Sequence, residues 1–68
     1  MRISSPFIKL DSFLKAENAV SSGGEAKIAI ADGTVSVNGQ VELRRGRKLY
    51  PGDLVSFGDM EFSVENGE

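Results

Sequence analysis

The sequence contains no cysteine and no histidine, and these two absences exclude much of the chemistry available to small proteins. Without cysteine there can be no disulfide, no thiolate metal site and no cysteine nucleophile, and a reducing compartment is expected. Without histidine the chain lacks the commonest general base and the commonest metal ligand. The carboxylates are scattered, so we expect no catalytic residues, no metal and no cofactor.

Long apolar runs are also missing. The segment from Met1 to Pro6 lacks the apolar stretch of a signal peptide, and no segment approaches the length of a membrane span. These absences predict a cytoplasmic protein without a membrane partner. A chain of 68 residues buries only about 60% of its unfolded surface, which predicts a single domain over residues 1–68 and no deep substrate cavity.

Positive charge is absent from the last part of the chain. The formal net charge is −2, yet residues 1–48 hold eight basic residues and five acids, a balance of +3. Residues 49–68 hold five acids and no base, a balance of −5. A protein that is acidic in sum can still carry a basic site, so an anionic partner is not excluded.

Two short helices are predicted in the first half of the chain. From Lys9 onward, Leu10, Phe13 and Leu14 recur at helical spacing and form one apolar face. A second helix is predicted over roughly Gly24 to Ala31. Its inward positions are small or aliphatic and let the two helices approach closely. These positions, interpreted as core, are Ala26, Ala29 and Ile30.

Local signals mark the start and the end of the second helix. Ser22 and Glu25 have the S-x-x-E spacing of a capping box, in which each side chain satisfies a free backbone N–H of the other residue. Gly33 suits the left-handed position that follows a helix. Asn38-Gly39 is the preferred pair for a type I′ hairpin turn. A helix, a strand and a hairpin are therefore predicted in succession.

Alternating apolar and polar residues predict the strands of the second half. Val35 and Val37 belong to the first strand, and residues 40–43 return as its partner. Pro51-Gly52 indicates a type II turn, after which residues 54–57 and 60–64 form a second hairpin. The fold class is therefore α+β, with two short helices packed on a small, mostly antiparallel sheet.

The two ends of the chain are predicted to differ. Residues 1–9, interrupted by Pro6, are interpreted as an extended entry that adds an edge strand. Residues 65–68 are interpreted as a frayed polar tail beyond a core of about 7–64. All four phenylalanines are assigned to the core: Phe7, Phe13, Phe57 and Phe62.

A basic loop is the first candidate functional feature. Four of the five residues from Arg44 to Lys48 are cationic and none is acidic. Arginine offers a planar fork of donors suited to phosphate oxygens, and the loop glycine, Gly46, allows close approach of a ligand. Tyr50, next to this loop, is a candidate stacking platform or a cover for the sheet edge. The alternative is a solvated turn whose arginines pair with nearby acids, namely Glu42, Asp53 or Asp32.

The start of the second helix is the second candidate feature. Ser22, Gly23 and Gly24 expose backbone N–H groups at the positive end of the helix dipole without obstruction by a Cβ atom. Lys27, one turn further on, adds a positive charge. The alternative interpretation is ordinary capping.

The order and spacing of four segments resemble the S4 RNA-binding domain, in particular the small stand-alone S4-like proteins of bacteria. The segments are residues 10–15 (LDSFLK), 22–27 (SGGEAK), 33–39 (GTVSVNG) and 48–55 (KLYPGDLV), and the likeness extends over residues 7–64. The resemblance implies two helices against a small curved sheet, called the αL motif. It also implies binding of structured RNA, ribosomal or transfer RNA, by phosphate and shape contacts.

The resemblance also implies which residues bind RNA and in what setting. The protein is expected to act as a monomer within a ribonucleoprotein, in ribosome assembly or translation. The hairpin at Asn38-Gly39 is expected to bring the basic loop toward the second helix, which would join both features into one phosphate-binding surface. The implied residues are Ser22, Gly23, Gly24, Lys27, Arg44, Arg45, Arg47 and Lys48, with Lys9 and Lys15 as further candidates.

The sequence alone leaves two other functions to be considered. A protein-interaction module could dock an acidic partner through the basic loop. The V-N-G turn and the start of the strand after Gly52 are also similar to small β-grasp sulfur carriers. Those carriers need a C-terminal Gly-Gly, so we expect no such chemistry from a chain that ends Asn66-Gly67-Glu68.

Overall fold

The computed structural model describes residues 2–3 and 5–66. These residues form two helices and eight short strands, and the α+β class is confirmed. The helices are α1 (Leu10–Ala16) and α2 (Gly23–Ala31). The strands are β1 (Arg2–Ile3), β2 (Ile8–Lys9), β3 (Val35–Val37), β4 (Gln40–Val41), β5 (Lys48–Leu49), β6 (Leu54–Phe57), β7 (Met60–Ser63) and β8 (Glu65–Asn66).

The strands form one four-stranded sheet and two strand pairs. The sheet is antiparallel with the order β4-β3-β6-β7. Strands β2 and β5 form an antiparallel ribbon, in which Ile8 faces Leu49 and Lys9 faces Lys48. Strands β1 and β8 pair in parallel. The arrangement is mostly antiparallel, as predicted. A strand is present within residues 1–9, as predicted, but β2 pairs with β5 in the ribbon and does not lie at the edge of the four-stranded sheet.

The core lies between the two helices and the inward face of the strands. Both helices bury the predicted residues, except that Ala29 is only partly buried. The ring of Phe13 meets the edge of Phe62 at a centroid distance of 6.2 Å, which ties α1 to the sheet. The buried apolar residues are Leu10, Phe13, Leu14, Val20, Ala26, Ile30, Val35, Val37, Leu49, Val55 and Val64.

Helix α2 begins and ends largely as its local sequence predicts. The Glu25 N–H donates to Ser22 Oγ (3.2 Å), which is one half of the capping box. The other half differs, because the Glu25 carboxylate accepts the N–H of Ser21 (2.6 Å) rather than that of Ser22. At the far end Gly33 has φ +78°, and the Thr34 N–H donates to the Ala29 carbonyl, as in a Schellman motif.

The predicted turns are confirmed by their backbone angles. Asn38 and Gly39 have φ values of +53° and +84°, which is the type I′ geometry. Gly52 has φ +100°, and the Asp53 N–H donates to the Tyr50 carbonyl (3.0 Å), as expected for a type II turn.

The predicted frayed tail is partly wrong. Glu65–Asn66 form β8 and pair with β1, so this segment is part of a two-stranded pair and is not frayed. Residues 67–68 lie outside the described residues. The strand pairing links two segments far apart in sequence, and local composition does not reveal such a pairing.

The side chain of Asn38 holds the hairpin against the next turn. Its Oδ1 accepts the Leu54 N–H (2.9 Å), and its Nδ2 donates to Asp53 Oδ1 (3.1 Å). Replacement by alanine removes both hydrogen bonds and adds strain at a positive φ, so we expect Asn38→Ala to lower the free energy of unfolding by about 2 kcal/mol. Urea unfolding measures this loss.

The control variant Asn38→Gly separates the two contributions, because glycine loses the hydrogen bonds but tolerates the positive φ. It should unfold between the wild type and Asn38→Ala. An Asn38→Ala variant as stable as the wild type would contradict the role assigned to this side chain.

Candidate nucleic-acid interface

The basic loop between β4 and β5 is fixed to the first turn of α1 by backbone hydrogen bonds. The Leu10 N–H donates to the Arg47 carbonyl (2.9 Å), and the Asp11 N–H donates to the Arg45 carbonyl (3.1 Å). Lys9, the residue before the helix, makes no side-chain cap. Loop carbonyls therefore accept N–H groups that a helix start leaves without an intrahelical partner, and the loop is held in place in return.

Strand register turns Glu42 toward the protein interior. Val37 faces Gln40, Ser36 faces Val41, and the Glu42 N–H donates to the carbonyl of Val35 (3.0 Å). Because side chains alternate along a strand, Glu42 lies on the same face as the buried Val35, and its exposed fraction is 7%. Its neighbours on the opposite face, Val41 and Leu43, are exposed. The usual apolar-in and polar-out pattern is thus reversed at this edge.

The buried Glu42 carboxylate binds two arginines of the loop. It accepts the Arg44 Nε–H and the Arg44 backbone N–H, both at 3.0 Å, and the Arg47 Nη1–H at 2.8 Å. Hydrogen bonds from the Arg44 side chain, and then from Arg47, lower the pKa of Glu42 to about 2. The same contact raises the pKa of Arg44. The carboxylate therefore stays charged and fixes both guanidinium groups.

These ion pairs leave the three arginines exposed to different degrees. The side chain of Arg44 remains 77% exposed and that of Arg47 29% exposed. The third arginine, Arg45, donates from Nε to Asp11 Oδ2 on α1 (3.3 Å) and is also exposed. Each guanidinium has five N–H donors, so every one of them retains donors for a further anion.

The three acids that the sequence offered as partners for the loop arginines make different contacts. Glu42 pairs with arginines, as one interpretation of the sequence predicted. Asp53 instead accepts the Tyr50 N–H (2.8 Å) and the amide of Asn38, and Asp32 ends α2. Asp11 was missed as a partner, because its contact with Arg45 joins residues that are 34 positions apart.

The start of α2 keeps free donors. Ser22 Oγ is occupied by Glu25, but the N–H groups of Gly23 and Gly24 have no acceptor among the described residues. A Cβ atom would meet no heavy atom within 4 Å at Gly23 and only Ser22 Oγ at 3.9 Å at Gly24. Packing within the protein therefore does not require these glycines, although glycine costs a helix about 1 kcal/mol relative to alanine. The exposed Lys27 lies one turn further along the helix.

The remaining candidates lie on the β2–β5 ribbon and on α1. Lys9 and Lys48 are directly opposed across the ribbon and both are exposed. Tyr50, which follows β5, contacts the ring of Phe7. The assignment of Phe7 to the core was wrong, because its ring is half-buried and lies under Lys48 Nζ. Lys15 is exposed near the end of α1.

The structure brings some of these residues together and leaves others apart. The loop and the ribbon are continuous through Lys48. Within residues 5–66, however, hydrogen bonds and ion pairs of the loop reach Glu42 and α1, and none reaches Ser22–Lys27. The loop was expected to approach the second helix, but its observed attachment is to the first helix, which packs against the second.

The described part of the chain contains no cluster of three or more acidic, histidine or cysteine side chains that could hold a metal ion. Neither of its helices combines the length and the apolarity that crossing a membrane requires.

Comparison with known proteins gives consistent sequence matches. The sequence model of a family described as S4 domain matches residues 1–65. Putative RNA-binding protein YbcJ of Escherichia coli (strain K12) is 48% identical over 52 residues, which cover 76% of this chain and 74% of that protein. Probable ribosome maturation protein RlbA of Bacillus subtilis (strain 168) is 43% identical over 65 residues, which cover 94% of this chain and 92% of that protein.

Two solved structures share the fold. The solution structure of E. coli YbcJ, described as revealing an αL motif involved in RNA binding, has a TM-score of 0.71 at 41% identity and covers 93% of this chain. The match extends over 80% of the YbcJ chain. A pseudouridylate synthase crystal structure has a TM-score of 0.75 at 21% identity, covering 82% of this chain but 24% of the synthase. This second likeness concerns the fold alone.

Proposed function

Because the chain belongs to the S4 domain family, we propose that it binds structured RNA, ribosomal or transfer RNA, through phosphate and shape contacts. The observation that carries this proposal is the fixed position of the basic loop. Its carbonyls hold α1, and carboxylates hold its three arginines, of which Arg44 and Arg45 remain exposed and Arg47 remains partly exposed. Such an arrangement presents cations to RNA phosphates at a low entropic cost.

The start of α2 supplies the second part of the proposed interface. The free N–H groups of Gly23 and Gly24 and the charge of Lys27 suit a phosphate oxygen at a helix N-terminus. Side chains cannot read the deep groove of A-form RNA, so contacts of this kind would recognise backbone and shape.

We place the function in the cytoplasm, in ribosome assembly or translation, with the protein acting as a monomer within a ribonucleoprotein. The name of the B. subtilis relative, a probable ribosome maturation protein, supports this setting. Binding rather than catalysis is proposed, because the E. coli relative, of which the match covers 74%, is named a putative RNA-binding protein.

Titration of a folded ribosomal RNA fragment or a transfer RNA tests the proposal. Four or five phosphate contacts predict that log affinity falls against log salt concentration with a slope of roughly −3 to −4. Lys27→Gln should reduce this slope by about 0.8 and weaken binding a few-fold, whereas Lys27→Arg should retain both values. Backbone NMR shifts should change at Ser22–Lys27 and Arg44–Lys48.

Negligible affinity at low salt, or shifts confined to other surfaces, would contradict the proposal. If RNA binding is observed, sequencing of RNA crosslinked to the protein in cells would identify the RNA.

A protein-interaction module is the second candidate, and one observation favours it. Val41 and Leu43 expose apolar side chains on the outer face of the edge strand, next to the basic loop. Exposed apolar side chains beside a basic loop suit a partner with an acidic and apolar surface. NMR shifts at Val41 and Leu43 with an acidic protein, in the absence of any RNA-induced shift, would favour this function.

A further inference from the structure

The outward face of the β2–β5 ribbon combines two aromatic rings with two ammonium groups. Ile8 packs against the core and Leu49 is fully buried within it. Since side chains alternate along a strand, the positions on either side of these two residues share the outward face. They are Phe7, Lys9, Lys48 and Tyr50, and none is acidic.

The strand register places two lysines opposite each other, where their positive charges repel. Lys9 and Lys48 are directly opposed in the antiparallel register, where like charges destabilise a strand pair. Neither lysine forms an ion pair with an acid in the described part of the chain. Lys48 Nζ instead lies 4.8 Å from the centre of the Phe7 ring. An anion bound between the two ammonium groups would remove this repulsion.

The rings provide a surface for stacking next to these charges. Phe7 and Tyr50 are 6.2 Å apart between centroids, at an angle of 50°. Phe7 is half-buried, and Lys48 Nζ lies over its ring, whereas Tyr50 is 49% exposed. Exposed aromatic rings beside cations bind unpaired bases, because every base has a face that can stack.

Resting on the proposed function, we infer that this ribbon face binds an unpaired nucleotide of the RNA, with its base on Tyr50 and a flanking phosphate between Lys9 and Lys48. Bases inside a paired helix offer no free face, so the occupant is a loop, bulge or end nucleotide. Lys48 belongs to both the ribbon and the basic loop, so this nucleotide would lie next to the helix bound by the loop.

Tyrosine fluorescence tests the inference directly. Tyr50 is the sole tyrosine and the chain has no tryptophan, so intrinsic fluorescence reports on this one ring. An oligoadenosine of about six nucleotides should quench the emission at low salt. An RNA duplex with a short unpaired extension should bind about fivefold more tightly than the same duplex with blunt ends, and only the extended one should quench.

Variants of Tyr50 separate stacking from folding. Tyr50→Leu should abolish the preference for the extended duplex, whereas Tyr50→Phe should keep it, and circular dichroism checks that both variants are folded. Equal affinity for both duplexes without quenching would overturn the inference and leave the proposed function standing. Quenching by oligoadenosine without binding of either duplex would support the ribbon site and overturn the proposed function. If neither probe binds, both fail.

Discussion

Replacing Glu42 with alanine is expected to lower the free energy of unfolding by about 2–3 kcal/mol at pH 7, although glutamate is among the residues most often found on protein surfaces. The substitution removes a buried carboxylate that accepts hydrogen bonds from two arginines and from a backbone N–H. Arg44 can be rehydrated, because its side chain is 77% exposed. Arg47 is only 29% exposed and would keep a poorly solvated charge without its partner.

The pH dependence of stability provides a more specific test of the same contact. The pKa of Glu42 is about 2 in the folded protein and 4.5 ordinarily, chiefly because the Arg44 side chain donates to the carboxylate. A lowered pKa stabilises the folded state above pH 4.5, and this contribution is lost as the pH falls from 4.5 toward 2. The full shift corresponds to at most about 3 kcal/mol, and solvent around Arg44 reduces it to about 1–2 kcal/mol.

Glu42→Gln is the matched variant, because it keeps the size of the side chain while it removes the charge and exchanges one of the two acceptor oxygens for a donor. We expect it to be less stable than the wild type by about 1–2 kcal/mol at pH 7, and we expect the difference to close near pH 2. Urea unfolding of both proteins at a series of pH values measures the gap. A gap that stays constant with pH would show that Glu42 contributes through hydrogen bonding that does not depend on its charge.

Much of the fold follows from local sequence signals. The start of α2 at Ser22, its end before Gly33 and the hairpin at Asn38-Gly39 each depend on interactions within a few residues. Such interactions are encoded in short patterns and do not need the rest of the chain. The observed φ values and caps agree with these predictions, except that the Glu25 carboxylate accepts the N–H of Ser21.

Only part of the candidate site could be predicted from local sequence patterns. The sequence identified the basic loop, but not that its backbone would cap α1 or that Asp11 would hold Arg45. These contacts depend on tertiary packing. The inward position of Glu42 had a signal, since alternation carried from Val37 through a two-residue turn places Gln40 and Glu42 on the inner face. An acid at a core-facing position is costly unless it is paired, so its partners could have been sought among the adjacent arginines.

The ion pairs affect how mutagenesis of the loop should be designed. Replacing Arg44 and Arg47 by alanine would leave the buried Glu42 carboxylate unpaired, and breaking a buried pair in this way costs about 3–5 kcal/mol. A loss of RNA binding by that variant would not distinguish a lost phosphate contact from a damaged fold. The combined variant Glu42→Gln, Arg44→Gln, Arg47→Gln avoids the problem, because it removes the buried charge together with both of its partners.

We expect this combined variant to bind structured RNA about 30-fold or more weakly than the wild type near physiological salt, because two charged donors to phosphate are lost. The slope of log affinity against log salt concentration should become shallower by about 1.5, which corresponds to two phosphate contacts. Anisotropy of labelled RNA over a salt series measures both quantities. Circular dichroism and urea unfolding establish that the variant is folded under the same conditions.

Glu42→Gln alone is the control, because it retains both guanidinium groups and the Arg45–Asp11 contact. If charge alone governed binding, this control would bind RNA more tightly than the wild type, since it loses one negative charge. If the carboxylate also orients Arg44 and Arg47, the gain is offset, and we expect affinity within about threefold of the wild type. A combined variant that binds as tightly as the wild type, with an unchanged salt slope, would exclude these arginines from phosphate contact. The interface would then be limited to Arg45, the start of α2 and the β2–β5 ribbon.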